Sequence, residues 1–140
     1  MNRFTLADYP IVENRPDTLR ARSGKPLHDI TLDAVVAGQV DMADLSIHPD
    51  TLIRQAEIAR AAGRPTLAQN FERAAELVNV PQDVVMQAYE ILRPGRVRSK
   101  ADILTLAATL RDRHNAPLIA AFMTEAAEVY DQRGQFRYRY

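Results

Sequence analysis

The sequence lacks cysteine, net charge and long apolar runs, and each absence excludes a class of protein. Without cysteine the chain forms no disulfide framework, thiolate metal site or cysteine nucleophile. Its 18 basic residues balance its 18 acidic ones, whereas nucleic-acid binders normally carry a basic excess. No apolar run approaches the roughly 20 residues of a transmembrane helix, and the first ten residues lack the apolar core of a secretory signal. We therefore expect a cytoplasmic protein that binds neither nucleic acid nor a membrane.

Proline dominates the start of the chain. Pro10, Pro16 and Pro26 fall within the first thirty residues, and each restricts its own φ and disfavours helix at the preceding residue. Residues 1–30 are therefore predicted to form an extended arm. Such an arm makes few local hydrogen bonds to offset the entropy lost on ordering. We expect it to become ordered against something else, and we interpret it as a partner-binding arm.

The rest of the chain has helical periodicity and no strand-like alternation. A short helix is predicted from the N-cap Thr31 to Gly38, and further helices begin at Pro49, Pro65, Pro81, Ser99 and Pro117. Gly63 and Gly134 are typical helix ends. The sequence predicts an all-α protein: a compact bundle of about five main helices over 31–134, after the extended arm and before a basic, aromatic tail at 135–140.

Apolar spacing predicts the buried face of each helix. The predicted inward residues are, in chain order, Leu52, Ile53, Ala56, Ala59 and Ala62; Leu67, Phe71, Ala74, Ala75 and Val78; Val84, Val85, Ala88, Ile91 and Leu92; Ile103, Leu106, Ala107 and Leu110; and Ile119, Phe122, Met123, Ala126, Val129 and Tyr130. Phe71 is expected to be a buried anchor, whose replacement by Ala costs about 3–5 kcal/mol.

The stretch "TLAQNFERAAELVNVPQD" at 66–83 contains the most suggestive charged group, formed by Glu72, Arg73 and Glu76. Helical spacing places both glutamates on the polar side, opposite Leu67 and Phe71. A general acid needs a desolvated pocket that shifts its pKa, and the helix surface offers none from its own sequence. We interpret the three residues as a surface or interface, and not as a catalytic group.

Other candidate sites also favour structural roles. His28, His48 and His114 lack the close spacing of a local metal site, and no glycine-rich phosphate loop is present. The basic segments 93–100 and 133–140 leave open a small helical DNA-binding protein, with a solvated loop and a partner-binding tail as the preferred interpretations. We predict no catalytic, cofactor-binding or metal-binding residue on this chain.

Several separated stretches together resemble a known family. The segment "LSIHPDTLIRQAEIARAAGRPTLAQNFERAAELVNVPQDVVMQAYEILRP" at 45–94 closely resembles the small (gamma) subunit of adenosylcobalamin-dependent diol and glycerol dehydratases. The stretches "DYP", "LHDITLDAVVAGQV", "LRPGR" and "AAFMTEAAEVY" continue the resemblance in the same order. The similarity extends from Asp8 to Gly134.

The resemblance implies a subunit of a dehydratase that converts a 1,2-diol, such as propanediol or glycerol, to an aldehyde and water. The family assembles two copies each of large, medium and small subunits. The large subunit holds the small diol substrate, and cobalamin lies between the large and medium subunits. The family places no catalytic residue in the small subunit, so adenosylcobalamin is implied for the holoenzyme but not for this chain alone. The expected role is to stabilise the large subunit.

The departures and alternatives are specific. Many relatives have a longer N-terminal extension associated with packaging into a bacterial microcompartment, which the start of this chain does not support. His48 replaces the Ser or Thr expected before the helix-starting proline, and is expected to weaken that cap by about 0.5–2 kcal/mol. A free-standing helical adaptor is the alternative function. We expect the partner interface to include Tyr9, Pro10, Asn70, Phe71 and Arg73.

Overall fold

The computed structural model describes residues 3–93, 95–96 and 99–136. Its α-helices are α1 (Ile11–Asn14), α2 (Leu32–Val36), α3 (Pro49–Ala61), α4 (Pro65–Leu77), α5 (Gln82–Leu92), α6 (Lys100–His114) and α7 (Pro117–Gln132). Within these residues no strand is formed, and one isolated bridge joins Arg20 to Pro26. The predicted all-α class is confirmed. No helix in the described part of the chain is both long and apolar enough to span a bilayer.

The chain divides into two compact units, Met1–Val78 and Asn79–Tyr140. The first unit contains the N-terminal segment and α1–α4, and the second contains α5–α7. Each unit is built around one pair of helices joined by a short turn, α3 with α4 and α6 with α7. Pro94, Val97, Arg98 and residues 137–140 lie outside the described residues, so the roles predicted for the segments 93–100 and 133–140 stay predictions.

The N-terminal segment combines extended backbone with short turns. Three 3-10 turns, Leu6–Asp8, Pro16–Thr18 and Leu27–Asp29, alternate with α1 and with extended residues such as Tyr9 and Leu19. Asp8 stabilises the first turn by accepting hydrogen bonds from Thr5 N (2.8 Å) and Arg15 (3.1 Å). The peptide bond between Tyr9 and Pro10 is cis.

Part of this segment is ordered by α3 of the same chain. Phe4 and Ile11 are buried against Ile58, and the Phe4 N–H donates to Glu57 Oε2 at 2.9 Å. The guanidinium groups of Arg15 and Arg54 lie 5.0 and 5.5 Å from the centre of the Phe4 ring, within the range of a cation–π interaction. Only some of the arm's apolar side chains are used in this way, and Leu6, Tyr9, Val12 and Leu27 stay exposed.

Alanine forms the contact between α3 and α4. Ala56, Ala59 and Ala68 make one buried cluster with Phe71 packed at its edge. Their small side chains allow the two helix backbones to approach closely. Gly63, at φ +71°, permits the turn between the helices, because a residue with a Cβ is strained in that conformation.

The predicted inward faces are partly wrong in the first unit. Ile53, Ala62 and Leu67 are exposed, whereas Ile58 and Ala68 are buried. The reason is that α3 is covered from two directions, by α4 and by the N-terminal segment, so its buried surface is wider than one stripe. Phe71 is only partly buried, and the predicted cost of about 3–5 kcal/mol for its replacement by Ala is therefore too high.

The second unit buries side chains of both α6 and α7. Ile103, Leu106, Ala107 and Leu110 are buried as predicted. On α7 the buried residues are Ala120, Met123 and Ala127, while Phe122, predicted to be inward, is 41% exposed. Burial on α7 therefore falls on two alanines and Met123 rather than on Phe122.

Helix caps follow the sequence closely. Thr31 accepts from Ala34 N (3.2 Å) and Ser99 accepts from Asp102 N (3.2 Å), as predicted from their positions. His48 was expected to be a poor cap, but its Nδ1 accepts from Asp50 N at 3.2 Å. The imidazole therefore supplies the acceptor that a Ser or Thr hydroxyl would provide. The predicted loss of cap strength stays a prediction.

Asp44 makes the stability of the first unit depend on pH. Its side chain is 1% exposed and binds Lys25. The hydrogen bond from Lys25 is the main cause that lowers the pKa of Asp44 from 3.8 to about 2, and a hydrogen bond from Ser23 lowers it further. A carboxyl whose pKa is lower in the folded state stabilises that state above its unfolded pKa, and this contribution disappears as it is protonated. We expect the wild type to lose its stability advantage over Asp44→Asn between about pH 4 and pH 2.

The measurement is urea unfolding of both proteins across this pH range. Other carboxyls contribute to the pH dependence of each protein separately, and the difference between the two isolates Asp44. A difference that stays constant from about pH 4 to pH 2 would contradict the proposed coupling.

Candidate partner-binding surface

An open apolar groove lies between the N-terminal turn, α3 and α4. The folded turn at Leu6–Asp8 packs on α3 and leaves Leu6 and Tyr9 facing outward. Ile58 and Ala59 of α3 and Leu67 and Phe71 of α4 complete the apolar lining, and Gln55, Ala62 and Arg64 complete the border. We refer to these residues as the Tyr9–Phe71 groove.

The groove has the composition of a binding surface. Among the described residues that line the groove, Arg64 is the only charged one. Tyr9 is 64% exposed. An exposed apolar floor with a polar border is typical of a protein–protein contact. None of the described residues that line the groove is a carboxylate or a histidine.

The predicted interface residues have different places around this groove. Tyr9 and Phe71, which lie far apart in sequence, line it together. Pro10 is partly buried and is the N-cap of α1, where its carbonyl accepts from Glu13 N and Asn14 N. Arg73 donates to Asn70 Oδ1 at 2.6 Å on the surface of α4, and neither residue lines the groove.

Leu6 and Leu67 are lining residues that sequence reasoning did not assign to the interface. Leu67 was predicted to be inward because it follows the helical apolar period. Alanines fill the contact between α3 and α4, so large apolar residues such as Leu67 have no place in it and remain exposed. Recognising this requires knowing which helices pack together, and the sequence alone does not show that.

The charged group on α4 is an ion pair. Arg60 of α3 binds Glu72 through two hydrogen bonds of 2.7 and 3.2 Å, and these hydrogen bonds lower the pKa of the Glu72 carboxyl. A general acid needs a raised pKa to hold its proton near neutral pH, so the shift has the wrong direction for a general acid. Glu72 instead forms a surface ion pair that links α4 to α3.

We expect Glu72→Gln to lower the free energy of unfolding by no more than about 1 kcal/mol. The variant removes the charge but keeps a hydrogen-bond acceptor toward Arg60, and an exposed ion pair of this kind contributes on the order of 0–1 kcal/mol. The measurement is urea unfolding of the variant and of the wild type. A loss of several kcal/mol would show that the ion pair does more than join the surfaces of the two helices.

No metal site accompanies the groove. Across residues 3–93, 95–96 and 99–136, no group of three or more His, Asp or Glu side chains is placed to hold a metal ion. His48 caps a helix, and His114 lies in the last turn of α6. The fold and the groove define a helical protein with an exposed apolar binding surface.

Comparison with known proteins gives the family. Residues 4–137 match the family described as dehydratase small subunit. The chain is 42% identical over 132 residues to the propanediol dehydratase small subunits of Citrobacter freundii and Salmonella typhimurium, covering 94% of this chain and 76% of each relative. The chain belongs to the dehydratase small subunit family.

Family membership decides between the functions that the sequence left open. The chain is a non-catalytic small subunit of a dehydratase, a carbon–oxygen lyase that removes water, and not a free-standing adaptor. The resemblance found in the separated sequence motifs is thereby confirmed.

Proposed function

We propose that this chain is the small subunit of an adenosylcobalamin-dependent dehydratase of short 1,2-diols, and that it stabilises the large catalytic subunit by binding it through the Tyr9–Phe71 groove. The observation that supports this proposal is the groove itself. The first unit buries alanines between its helices and leaves Leu6, Tyr9 and Leu67 exposed around a partly buried Phe71. A partner that covers these side chains removes apolar surface from water.

The substrate class is proposed from the relatives. Both are propanediol dehydratase small subunits, and the 42% identity extends over 94% of this chain. Propanediol or glycerol is therefore the proposed substrate of the complex, bound on the large subunit. We further propose a cytoplasmic complex with two copies each of large, medium and small subunits.

The cofactor is proposed to lie on the other subunits. Adenosylcobalamin, when bound, supplies the radical that abstracts a substrate hydrogen. The Tyr9–Phe71 groove does not fit that role, since its lining contains no histidine or carboxylate to hold the cobalt or the polar groups of a corrin. The contribution of this chain is binding alone.

Binding stabilises the catalytic subunit by mass action. A ligand that binds only the folded partner adds about 2.7 kcal/mol to its stability at a concentration 100 times Kd. A more rigid large subunit also keeps water away from reactive intermediates. This chain thus influences the reaction without contributing a group to it.

Coexpression of the large and medium subunits with and without this chain tests the proposal. We expect the two-subunit preparation to have a lower yield, a lower midpoint of thermal inactivation and faster loss of diol dehydratase activity, because the stabilisation by binding is missing. Equal yield, inactivation midpoint and activity in both preparations would refute the stabilising role.

Adding purified chain to the two-subunit preparation provides the control. Recovery of thermal stability on addition would show that the effect follows from binding and not from altered expression. Absence of copurification with both other subunits would refute the assignment of partners.

A further inference from the structure

A second surface, distinct from the Tyr9–Phe71 groove, lies on the segment between Lys25 and Arg54. This segment contains no lysine or arginine and has five aspartates, Asp29, Asp33, Asp41, Asp44 and Asp50. Asp44 is buried and binds Lys25, while the other four are exposed. Asp29 lies 3.3 Å from His28, and Asp50 lies 3.9 Å from His48. With five carboxyls and no lysine or arginine, the segment is acidic.

The same segment exposes large apolar side chains. Leu32, Val35 and Val36 lie at i, i+3 and i+4 on α2 and share one face of that helix. Leu32 is 77% exposed and Val36 81% exposed, and Met42 is 79% exposed. Leu45 and Ile47 are also exposed. We refer to the exposed residues of 29–50 as the acidic–apolar surface.

Fixed loop structure holds this surface in place. Asp44 Oδ2 accepts hydrogen bonds from Lys25 and from Asp41 N (3.3 Å), and Asp41 Oδ1 accepts from Asp44 N (3.0 Å). Ser46 adds a hydrogen bond to the carbonyl of Met42 (2.9 Å). Apolar side chains held this far into solvent by a bonded loop are typical of an interaction site.

We propose that the acidic–apolar surface docks a segment of another dehydratase subunit that carries lysine or arginine beside apolar side chains. This proposal rests on the proposed function and adds a second contact with its own chemistry. Apolar burial supplies the affinity, and the carboxylates select a basic partner and exclude an acidic one. A second copy of this chain would bring equal charges together, and nucleic acid or an anionic membrane would be repelled.

Removal of the charges tests the electrostatic part. The variant Asp29→Asn/Asp33→Asn/Asp50→Asn neutralises three carboxylates in the first turns of helices or 3-10 turns. Its matched control is Asp17→Asn/Asp83→Asn/Asp102→Asn, which removes three first-turn carboxylates elsewhere and so equalises effects on helix dipoles. Affinity for the complex of large and medium subunits is measured by titration at about 50 mM and about 500 mM salt.

We expect the surface variant to bind about tenfold more weakly than the control at the lower salt concentration, with the difference lost at the higher one because exposed charges are screened. Equal affinity of the two variants at low salt would overturn the proposal. Self-association of the neutralised chain, measured by sedimentation, together with unchanged binding to the other subunits would assign the surface to a second copy and also overturn it.

The apolar part has its own matched pair. Met42→Ser should weaken binding by about tenfold, since it removes an exposed apolar contact without affecting the fold, whereas Met86→Ser on α5, also exposed, should leave the affinity unchanged. Equal effects of the two substitutions would overturn the apolar contact. Failure of the wild-type chain itself to bind the large and medium subunits would refute the proposed function, and this result is distinct from a loss confined to the surface variants.

Discussion

Leu110→Ala should lower the free energy of unfolding of the second unit by about 2–5 kcal/mol. Leu110 is fully buried in α6, and shortening it leaves a cavity in the core of this unit. The cost depends on how far the surrounding side chains move into the space. Hydrogen exchange of the α6 amides measures the loss within this unit.

Leu104→Ala is the control on the same helix. Leu104 is 36% exposed, and the substitution changes helix propensity by the same amount as at position 110. We expect less than half the loss seen for Leu110→Ala. Equal losses for both variants would show that α6 does not bury the face that contains Ile103, Leu106 and Leu110.

Tyr9→Ser should weaken binding to the large subunit by about 30-fold or more, which corresponds to about 2 kcal/mol. Tyr9 is an exposed aromatic residue beside Leu67 and Phe71, and large aromatic side chains at the centre of a contact contribute most of its affinity. Its exposure means that serine removes little from the folding of the free chain. Titration of the assembled large and medium subunits with the variant measures the effect.

Tyr89→Ser provides the control, because Tyr89 is similarly exposed (59%) but lies on α5, outside the groove. We expect this variant to bind like the wild type and to support full activity. Weakening of both variants to the same degree would place the contact with the large subunit elsewhere, and would remove the groove from the proposed function. Unchanged binding by Tyr9→Ser alone would have the same consequence.

Most of the secondary structure was predictable because it depends on local chemistry. Thr31 and Ser99 accept the hydrogen bonds expected of N-caps, and Pro49, Pro65 and Pro117 occupy first helical positions. His48 Nδ1 also accepts a cap hydrogen bond, as an imidazole can in place of a hydroxyl. These features follow from a few neighbouring residues, and a sequence shows them directly.

The faces of the helices were less predictable, because burial depends on what packs against them. Periodicity favoured Leu67 and Phe122 as inward residues, yet both are exposed, and Ala68 and Ala127 are buried. A pattern of apolar residues cannot distinguish a side chain that fills the chain's own core from one left for a partner. The alanines decide between them, since they determine how closely two helices approach.

The candidate site was predictable in part. Tyr9 and Phe71 were both predicted as interface residues, and the structure brings them into one groove, whereas Asn70 and Arg73 lie beside it and bind each other. The binding role of all four stays a proposal. The exposure of Leu32, Val36 and Met42 on the acidic–apolar surface gave no separate signal in the sequence, where they appear as ordinary apolar residues of a short helix and loop.

The amino-acid sequence by itself determined the all-α class, the helix boundaries and the family, because caps, prolines, apolar period and separated motifs are all properties of the chain read in order. Only the tertiary structure decided which apolar residues remain exposed outside the core. That outcome depends on distances between residues far apart in sequence, such as Tyr9 and Phe71, and on the close approach that Ala56, Ala59 and Ala68 allow. Packing is a property of two surfaces together, and neither surface specifies it alone.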